Sequence, residues 1–189
     1  DDNDVNNLVE IMRLNENGLN VTGNVTSENL FIPQYVYSHN NATMVLASAN
    51  VWANLTFNQE EAEIKKGISH VHNDNTNHTF TISESGIYDI NYNFDVIDTS
   101  ASSTDIDVAG RIIYFNGTEI IGSVFETDII KQDVEVEISH NFLAKLNAGD
   151  VLIFQFIAND VDVQISTHST FGVHPDSVTI LIIKIANLP

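Results

Sequence analysis

The feature that most constrains this chain is a succession of β-prone segments, separated by turn signals, that runs from about Ala42 onward with no helical pattern between them. Apolar and polar residues alternate along Asp133–Leu146, as they do in a strand with one buried face. Val151–Ala158 is apolar on both faces, which indicates a central strand or one covered by a neighbouring subunit. Asn116-Gly117 is the strongest hairpin signal. About eight to ten strands without intervening helices predict an antiparallel sandwich or barrel.

The predicted strands are rich in β-branched and aromatic residues and end at Gly, Asn, Asp or Pro. They are Met44–Phe57 (one or two strands), Thr79–Ser83, Gly86–Ile97, Ile106–Asn116, Thr118–Glu126, Asp133–Leu146, Val151–Ala158, Val161–Thr167 and Ser177–Ala186. Between the first two, residues 58–78 are polar, and we expect them to be irregular.

The N-terminal part has a different pattern. Apolar residues in Asp4–Asn17 follow helical spacing, and the Asn-Gly that ends this stretch is equally compatible with a helix stop and a tight turn. The near-repeat Asn20-Val21-Thr22 and Asn24-Val25-Thr26 resembles shaft or neck pieces of viral and phage fibres. We therefore expect residues 1–40 to form a neck or shaft segment and residues 41–189 to form the globular head.

Composition limits the function classes. The formal net charge of −19, from 26 acidic and 7 basic residues, argues strongly against a nucleic-acid partner, because phosphate binding needs clustered Lys and Arg. The same charge disfavours anionic membrane surfaces. There is no cysteine, so disulfides, thiolate metal sites and Cys nucleophiles are excluded. No apolar run approaches the length of a transmembrane helix, and we expect no membrane insertion.

Four landmarks in order resemble the tumour-necrosis-factor-like (TNF-like) jelly roll, in particular the globular heads of the complement first component and their bacterial and viral relatives. They are Gly86-Ile87-Tyr88-Asp89-Ile90 continuing to Tyr92 and Phe94, "RIIYFNGTEI", Leu146–Asp150 followed by "VLIFQF", and the closing "SVTILIIKI". The chain departs from the animal members in having no cysteine and no collagen-like stalk. In its Asn- and Ile-rich composition it is more similar to phage or virus spike heads and spore-surface relatives.

The resemblance implies a homotrimer whose threefold axis is lined by one sheet of each protomer. It implies interface positions at Tyr88, Tyr92, Phe94, His140, Phe142, Phe154 and Ile182. The residues themselves leave the orientation of the strand after Gly86 open, because Asp89, Asn91 and Asn93 alternate with its aromatic residues. A histidine on an apolar strand face, such as His140, is expected to be hydrogen-bonded in a core or interface.

Ligand contacts are expected in loops, because connections on a rigid sandwich can vary without harming the core. The three loops proposed are Ile97–Asp107, Glu126–Asp133 and Asp160–Pro175. The candidate receptor-binding residues in them are Asp98, Thr99, Ser102, Thr104, Asp105, Asp107, Asp128, Asp160, Asp162 and His168.

Two pairs of residues could bind a metal ion, and each pair also has an explanation without a ligand role. His70 and His72 could bind Zn²⁺ or Ni²⁺, or lie in a polar loop with no ligand role. Asp105 and Asp107 could hold Ca²⁺, or be solvated loop charges. Apart from this possible Ca²⁺, no cofactor is expected.

No Gly-x-Ser-x-Gly, His-Glu-x-x-His or phosphate loop occurs in the sequence, so we expect a protein that is not an enzyme. The leading hypothesis is the trimeric head of a viral or phage spike, fibre or similar appendage, located on a virion surface or otherwise extracellular. It would bind a host receptor, glycan or protein, while its N-terminal segment contacts other appendage proteins. The alternatives are a structural protein that decorates a virion or spore and, less favoured, a carbohydrate-active enzyme.

Overall fold

The computed structural model describes residues 12–15, 18–21, 31–70, 78–100, 106–166 and 176–188, and the chain divides into two units, Asp1–Ile32 and Pro33–Pro189. In the smaller unit, β1 (Met12–Asn15) and β2 (Gly18–Val21) form an antiparallel pair. The helix predicted over Asp4–Asn17 is therefore wrong at the residues described. The register pairs Asn15 with Gly18, so backbone groups are satisfied between two strands rather than along a helix.

The larger unit contains thirteen strands in its described residues. They are β3 (Tyr35–Asn40), β4 (Met44–Val45), β5 (Ala53–Asn54), β6 (Gln59–Lys66), β7 (Ile68–His70), β8 (Thr79–Ile82), β9 (Gly86–Asp98), β10 (Ile106–Tyr114), β11 (Phe125–Ile129), β12 (Glu135–Leu146), β13 (Val151–Ala158), β14 (Val163–Ile165) and β15 (Val178–Ala186). No helix occurs in the described chain, and none is present there that could cross a membrane.

These strands form two antiparallel sheets that enclose one core. The six-stranded sheet has the order β11-β10-β13-β8-β7, with β5 beside β13. The seven-stranded sheet has the order β4-β14-β9-β15-β3-β6, with β12 beside β9. The long strands β9 and β12 pair over twelve consecutive positions, from Gly86–Leu146 to Ile97–Glu135. The all-β antiparallel sandwich predicted from the alternation is confirmed.

Three segments differ from the prediction. β3 pairs with β15 in the seven-stranded sheet, so residues 35–40 belong to the larger unit rather than to the neck. Residues 58–78, expected to be irregular, contain β6 and β7. The Asn116-Gly117 turn is present, with the Tyr114 amide bonded to the Thr118 carbonyl at 2.8 Å, but its second arm is a single bridge and β11 starts only at Phe125.

The core consists mainly of aromatic and β-branched side chains that point inward from both sheets. Phe57, Phe80 and Phe154 meet edge to face at 5.2–5.7 Å between ring centroids, and Tyr92 joins them at 5.4 Å from Phe154. Aromatic pairs in this geometry contribute about 0.5–1.5 kcal/mol each beyond burial. Burial, reinforced by the charge of Glu119, raises the pKa of Tyr92 well above its ordinary value. The aromatic residues of β9 are thus the interior of the sandwich.

Candidate functional site

Three connections gather at one end of the sandwich, called here the loop end. They join β9 to β10, β11 to β12 and β13 to β14, because β9 and β13 run toward this end while β10 and β12 run away from it. β3 begins and β15 ends at the opposite end, where Tyr35 pairs with Ile183. The fold therefore brings the described residues 97–100, 106–107, 126–133 and 160–162 of the predicted loops to one surface, away from the start of β3 and the end of β15.

Backbone hydrogen bonds connect the loops to one another. The Thr99 amide donates to the Asp162 carbonyl at 3.1 Å, and the Thr99 hydroxyl donates to the same oxygen at 2.9 Å. The Asp133 amide donates to the Asp98 carbonyl at 2.9 Å. All three connections are thus held in one arrangement, which lowers the entropy cost of binding a partner.

Asp98 is a structural residue within this surface. Its side chain is fully buried, with Oδ1 accepting from the Ser100 amide at 2.8 Å and Oδ2 accepting from the Ser100 hydroxyl at 2.9 Å. A buried carboxylate whose two oxygens are both occupied is not available to a ligand. The prediction that Asp98 contacts a receptor is therefore wrong. Asp98 instead holds the start of the connection between β9 and β10 through Ser100.

The remaining described acidic residues reach solvent. Asp107 and Asp128 are directly opposite on β10 and β11, and both are exposed. Asp107 accepts from the Asn159 side chain at 2.7 Å. Asp160 accepts from the Asp162 amide at 2.8 Å, which forms the turn before β14 and leaves the Asp162 side chain exposed. The loop end is therefore an acidic surface.

Several predicted residues lie outside the described part of the chain. They are Ser102, Thr104, Asp105, His168 and His72. Among the residues that are described, no group of three or more His, Asp or Glu side chains is placed to hold a metal ion.

His70, the other proposed metal ligand, lies in the core. Its ring stacks on Phe80 with centroids 4.2 Å apart, and only 5% of the residue is exposed. Nδ1 is 3.0 Å from the Thr79 carbonyl oxygen and Nε2 is 3.2 Å from the Phe57 carbonyl oxygen. Because both nitrogens face backbone acceptors, neither is directed at an open site. His70 ties β7 to the neighbouring core segment.

Most predicted interface residues are interior residues of a single chain. Tyr88, Tyr92, Phe94, Phe154 and Ile182 are all 0–1% exposed. Side chains enclosed by their own sandwich have no surface to offer a second subunit, so this part of the interface prediction is corrected. The Tyr88 hydroxyl donates to the Glu84 carbonyl at 2.6 Å, and the Tyr92 hydroxyl donates to the Ser123 carbonyl at 2.6 Å.

His140 and Phe142 are placed differently, at the edge formed by β12. Their rings stack with centroids 5.5 Å apart, and both residues are half-buried. His140 Nε2 donates to the Gly122 carbonyl at 2.8 Å, as expected of a hydrogen-bonded histidine near a core. Beside this edge, Ile121 is 95% exposed. The edge thus keeps apolar surface that its own chain does not cover.

A second apolar surface lies on the outer face of the seven-stranded sheet, and the sequence did not predict which residues form it. On this face, Tyr35, Ile183 and Leu143 lie in one row across neighbouring strands, which is called here the apolar row although Asp89 lies between Ile183 and Leu143. Leu143 is 60% exposed and Ile183 is 36% exposed. The sequence signal that could have located this surface is that β15 carries apolar residues on both of its faces. The same pattern in β13 has another cause, since residues 152–156 of that strand are already buried within their own chain.

The chain resembles solved structures but not characterised sequences. No protein-family model matches the sequence, and neither does any curated protein. Among solved structures, Eiger TNF from S. frugiperda is similar with a TM-score of 0.54 and 10% identity, over 84% of this chain and 95% of that chain. The fold is a TNF-like jelly roll. Murine APRIL at pH 5.0 is also similar, with a TM-score of 0.49 and 10% identity, over 82% of this chain and all of that one.

Within the TNF-like jelly roll, the two surfaces described above have separate locations. The acidic loop end lies across the ends of β9 to β14, whereas the apolar row lies on the flat outer face of the seven-stranded sheet.

Proposed function

We propose that this chain is the non-enzymatic head of a homotrimeric surface appendage, which binds a receptor through the loop end. The observation that carries the proposal is the gathering of three hydrogen-bonded loops at the end opposite to the start of β3 and the end of β15. An appendage that holds the head at the start of β3 would present this surface outward. A viral or phage spike or fibre fits such an arrangement, with a protein or glycan as receptor.

Homotrimer formation is supported by two separate apolar surfaces, the edge at Ile121 and Phe142 and the outer sheet face at Leu143 and Ile183. When an edge of one copy packs on a face of the next, the contact is heterologous, and a rotation of one third of a turn between copies closes it into a trimeric ring. The −19 charge of each chain opposes association, so the contact depends on apolar burial.

Light scattering tests the trimer. At micromolar concentration we expect a mass three times the 20.9 kDa of one chain. Ile183→Glu places a charge in the apolar row beside Asp89 and should shift the protein toward the monomer. Val51→Glu is the matched control at another exposed apolar residue and should leave the mass unchanged. A wild-type mass of one chain would contradict the assembly.

Receptor binding is tested with Asp128→Ala combined with Asp162→Ala. Both carboxylates are exposed and make no hydrogen bond to other described residues, so the fold should be retained. We expect the double variant to lose adsorption to host cells, while Ser69→Ala, exposed on β7, retains it. A trimer that stabilises particles but adsorbs to no cell would favour the decorating protein instead. Oligosaccharide turnover abolished by one Asp substitution would favour the enzyme.

A further inference from the structure

An open groove of about 600 Å³ lies at the end of the sandwich opposite to the loop end. One wall is the tight turn 114–118 after β10, and the other is the turn 147–151 before β13. The Phe115 amide donates to the Val151 carbonyl at 2.9 Å and joins the two walls. The groove contains none of the residues assigned to the receptor surface or the subunit contacts.

Each wall is held by its own hydrogen bonds. The Tyr114 amide donates to the Thr118 carbonyl at 2.8 Å. In the other turn, the Asn147 amide donates to Asp150 Oδ2 at 2.7 Å, and the Asp150 amide donates to the Asn147 carbonyl at 3.1 Å. Since both turns are fixed before any ligand arrives, binding would need little further ordering of the backbone.

The groove presents an aromatic surface to solvent. Phe115, which follows β10, is 73% exposed, whereas the phenylalanines of β9 and β13 lie in the core. Tyr114 beside it is half-buried, and burial, followed by the charge of Asp150, raises the pKa of its hydroxyl, which stays protonated near neutral pH. An exposed aromatic ring next to a hydroxyl donor is suited to a ligand with both apolar and hydroxyl-rich faces.

Polar groups around the ring remain free. The Tyr114 hydroxyl, the Asn147 side-chain amide and Asp150 Oδ1 have no hydrogen-bond partner among the described residues. Together they supply donors and acceptors at fixed positions. Asp150 is the one charged side chain among the described residues that line the groove, and it opposes an anionic ligand.

We propose that this groove binds a neutral saccharide. The C–H face of a sugar ring would pack on Phe115, and its hydroxyl groups would bond the Asp150 carboxylate and the Asn147 amide. The volume of the groove suits one or two sugar rings. This proposal does not depend on the receptor surface, which lies at the other end of the sandwich.

Saturation-transfer NMR on the intact chain tests it, with glucose, galactose, mannose, N-acetylglucosamine and N-acetylneuraminic acid as separate probes. We expect transfer to at least one neutral sugar and none to N-acetylneuraminic acid. Phe115→Ala should weaken binding at least tenfold, and Asp150→Asn should also weaken it while keeping an oxygen for the Asn147 amide. Ile121→Ala, exposed outside the groove, is the control and should bind normally.

Other results would overturn the proposal. These are the absence of transfer to every neutral sugar, unchanged binding by Phe115→Ala with an unchanged melting temperature, or preferential binding of N-acetylneuraminic acid. Asp128→Ala combined with Asp162→Ala should leave sugar binding intact, so failure here and failure of receptor binding at the loop end are distinguishable.

Discussion

At the scale of single residues, position 86 must be glycine because the side chain of Lys184, almost a hundred positions away in sequence, packs against its backbone. Lys184 is 2% exposed, and its ammonium lies 3.6 Å from Glu84. A Cβ at Gly86 would lie 2.6 Å from Lys184 Cε and 2.7 Å from the Ala186 carbonyl oxygen. The sequence predicted that a strand begins at Gly86, but the reason for the glycine is this contact, which only the folded chain creates.

Gly86→Ala should therefore destabilise the protein. The added methyl group must displace the Lys184 stem and the backbone of β15, and overpacking of this kind typically costs about 1–3 kcal/mol. The midpoint of urea unfolding measures it. Asn91→Ala, on the outer face of the same strand, is the control and should change stability by less than about 0.5 kcal/mol. Equal midpoints for the two variants would contradict the close contact.

His70→Phe isolates the hydrogen bonds of a second buried residue. The phenyl ring can keep the stacking on Phe80, but whichever of the Thr79 and Phe57 carbonyl groups accepts the imidazole N–H loses that hydrogen bond. Leaving buried polar groups unsatisfied costs about 1–3 kcal/mol, so we expect a lower free energy of unfolding. Thermal and chemical denaturation measure the loss, and a variant as stable as the wild type would show that the ring acts only through packing.

At the scale of elements, clear alternation was enough to locate a strand. β10 and β12 lie inside segments predicted from period two, and β9 exceeds its predicted segment by one residue at the C-terminal end, whereas β13 and β15 lie within segments that are apolar on both faces. β6 was missed because its sequence, QEEAEIKK, has no apolar alternation, and it is an edge strand paired only with β3 in the sheet order. β3 was missed because the neighbouring fibre-like repeat favoured a neck. The backbone hydrogen bonds of an edge strand are made with one neighbouring strand, and the sequence of the edge strand alone does not identify that neighbour.

The connection between β10 and β11 depends on Ser123. Its hydroxyl accepts from the Ile112 amide at 3.0 Å and donates to the Ile112 carbonyl at 3.1 Å. Ser123→Ala should lower stability by about 1–3 kcal/mol, because a buried amide is left without an acceptor. Ser48→Ala, an exposed serine bonded only to the preceding carbonyl, is the control. Loss of stability by both variants to the same degree would contradict this role.

At the scale of the whole molecule, the sequence predicted the sandwich and named three loops, but it did not predict that their described parts share one end or which aromatic residues lie in the core. Tyr88, Tyr92 and Phe94 satisfy the pattern of an interface strand and of a core strand equally well. The packing of two sheets decides between them, and it turns Asp89, Asn91 and Asn93 outward. The groove at Phe115 was not predicted because its two walls are separated by about thirty residues in sequence.

Buried tyrosines should make the stability fall at alkaline pH. Burial, and next the charge of Glu84, raises the pKa of Tyr88 from 10.0 to about 12, and burial also raises the pKa of Tyr92. Below pH 10 both are protonated in the folded and unfolded states, so they add no pH dependence. Above pH 10 the unfolded state releases protons first, so stability should fall as pH rises toward 12. Urea midpoints between pH 8 and 12 measure this fall.

Tyr88→Phe provides the matched variant for that titration. It removes one of the raised groups while keeping the ring, so the fall in stability above pH 10 should become shallower. At pH 8 the variant should lose only the hydrogen bond to the Glu84 carbonyl. Identical pH profiles for the variant and the wild type would show that Tyr88 does not contribute to the alkaline transition.

The start of β3 and the loops lie at opposite ends of the strands, and this placement has a mechanical consequence. If the loops are held by a receptor and the start of β3 is held by an appendage, tension acts along the strand axes. The hydrogen bonds between β3 and β15, and between β9 and β12, are perpendicular to that axis. They are then loaded in shear and resist together, whereas pulling the start of β3 away from the end of β15 would peel their bonds apart one after another.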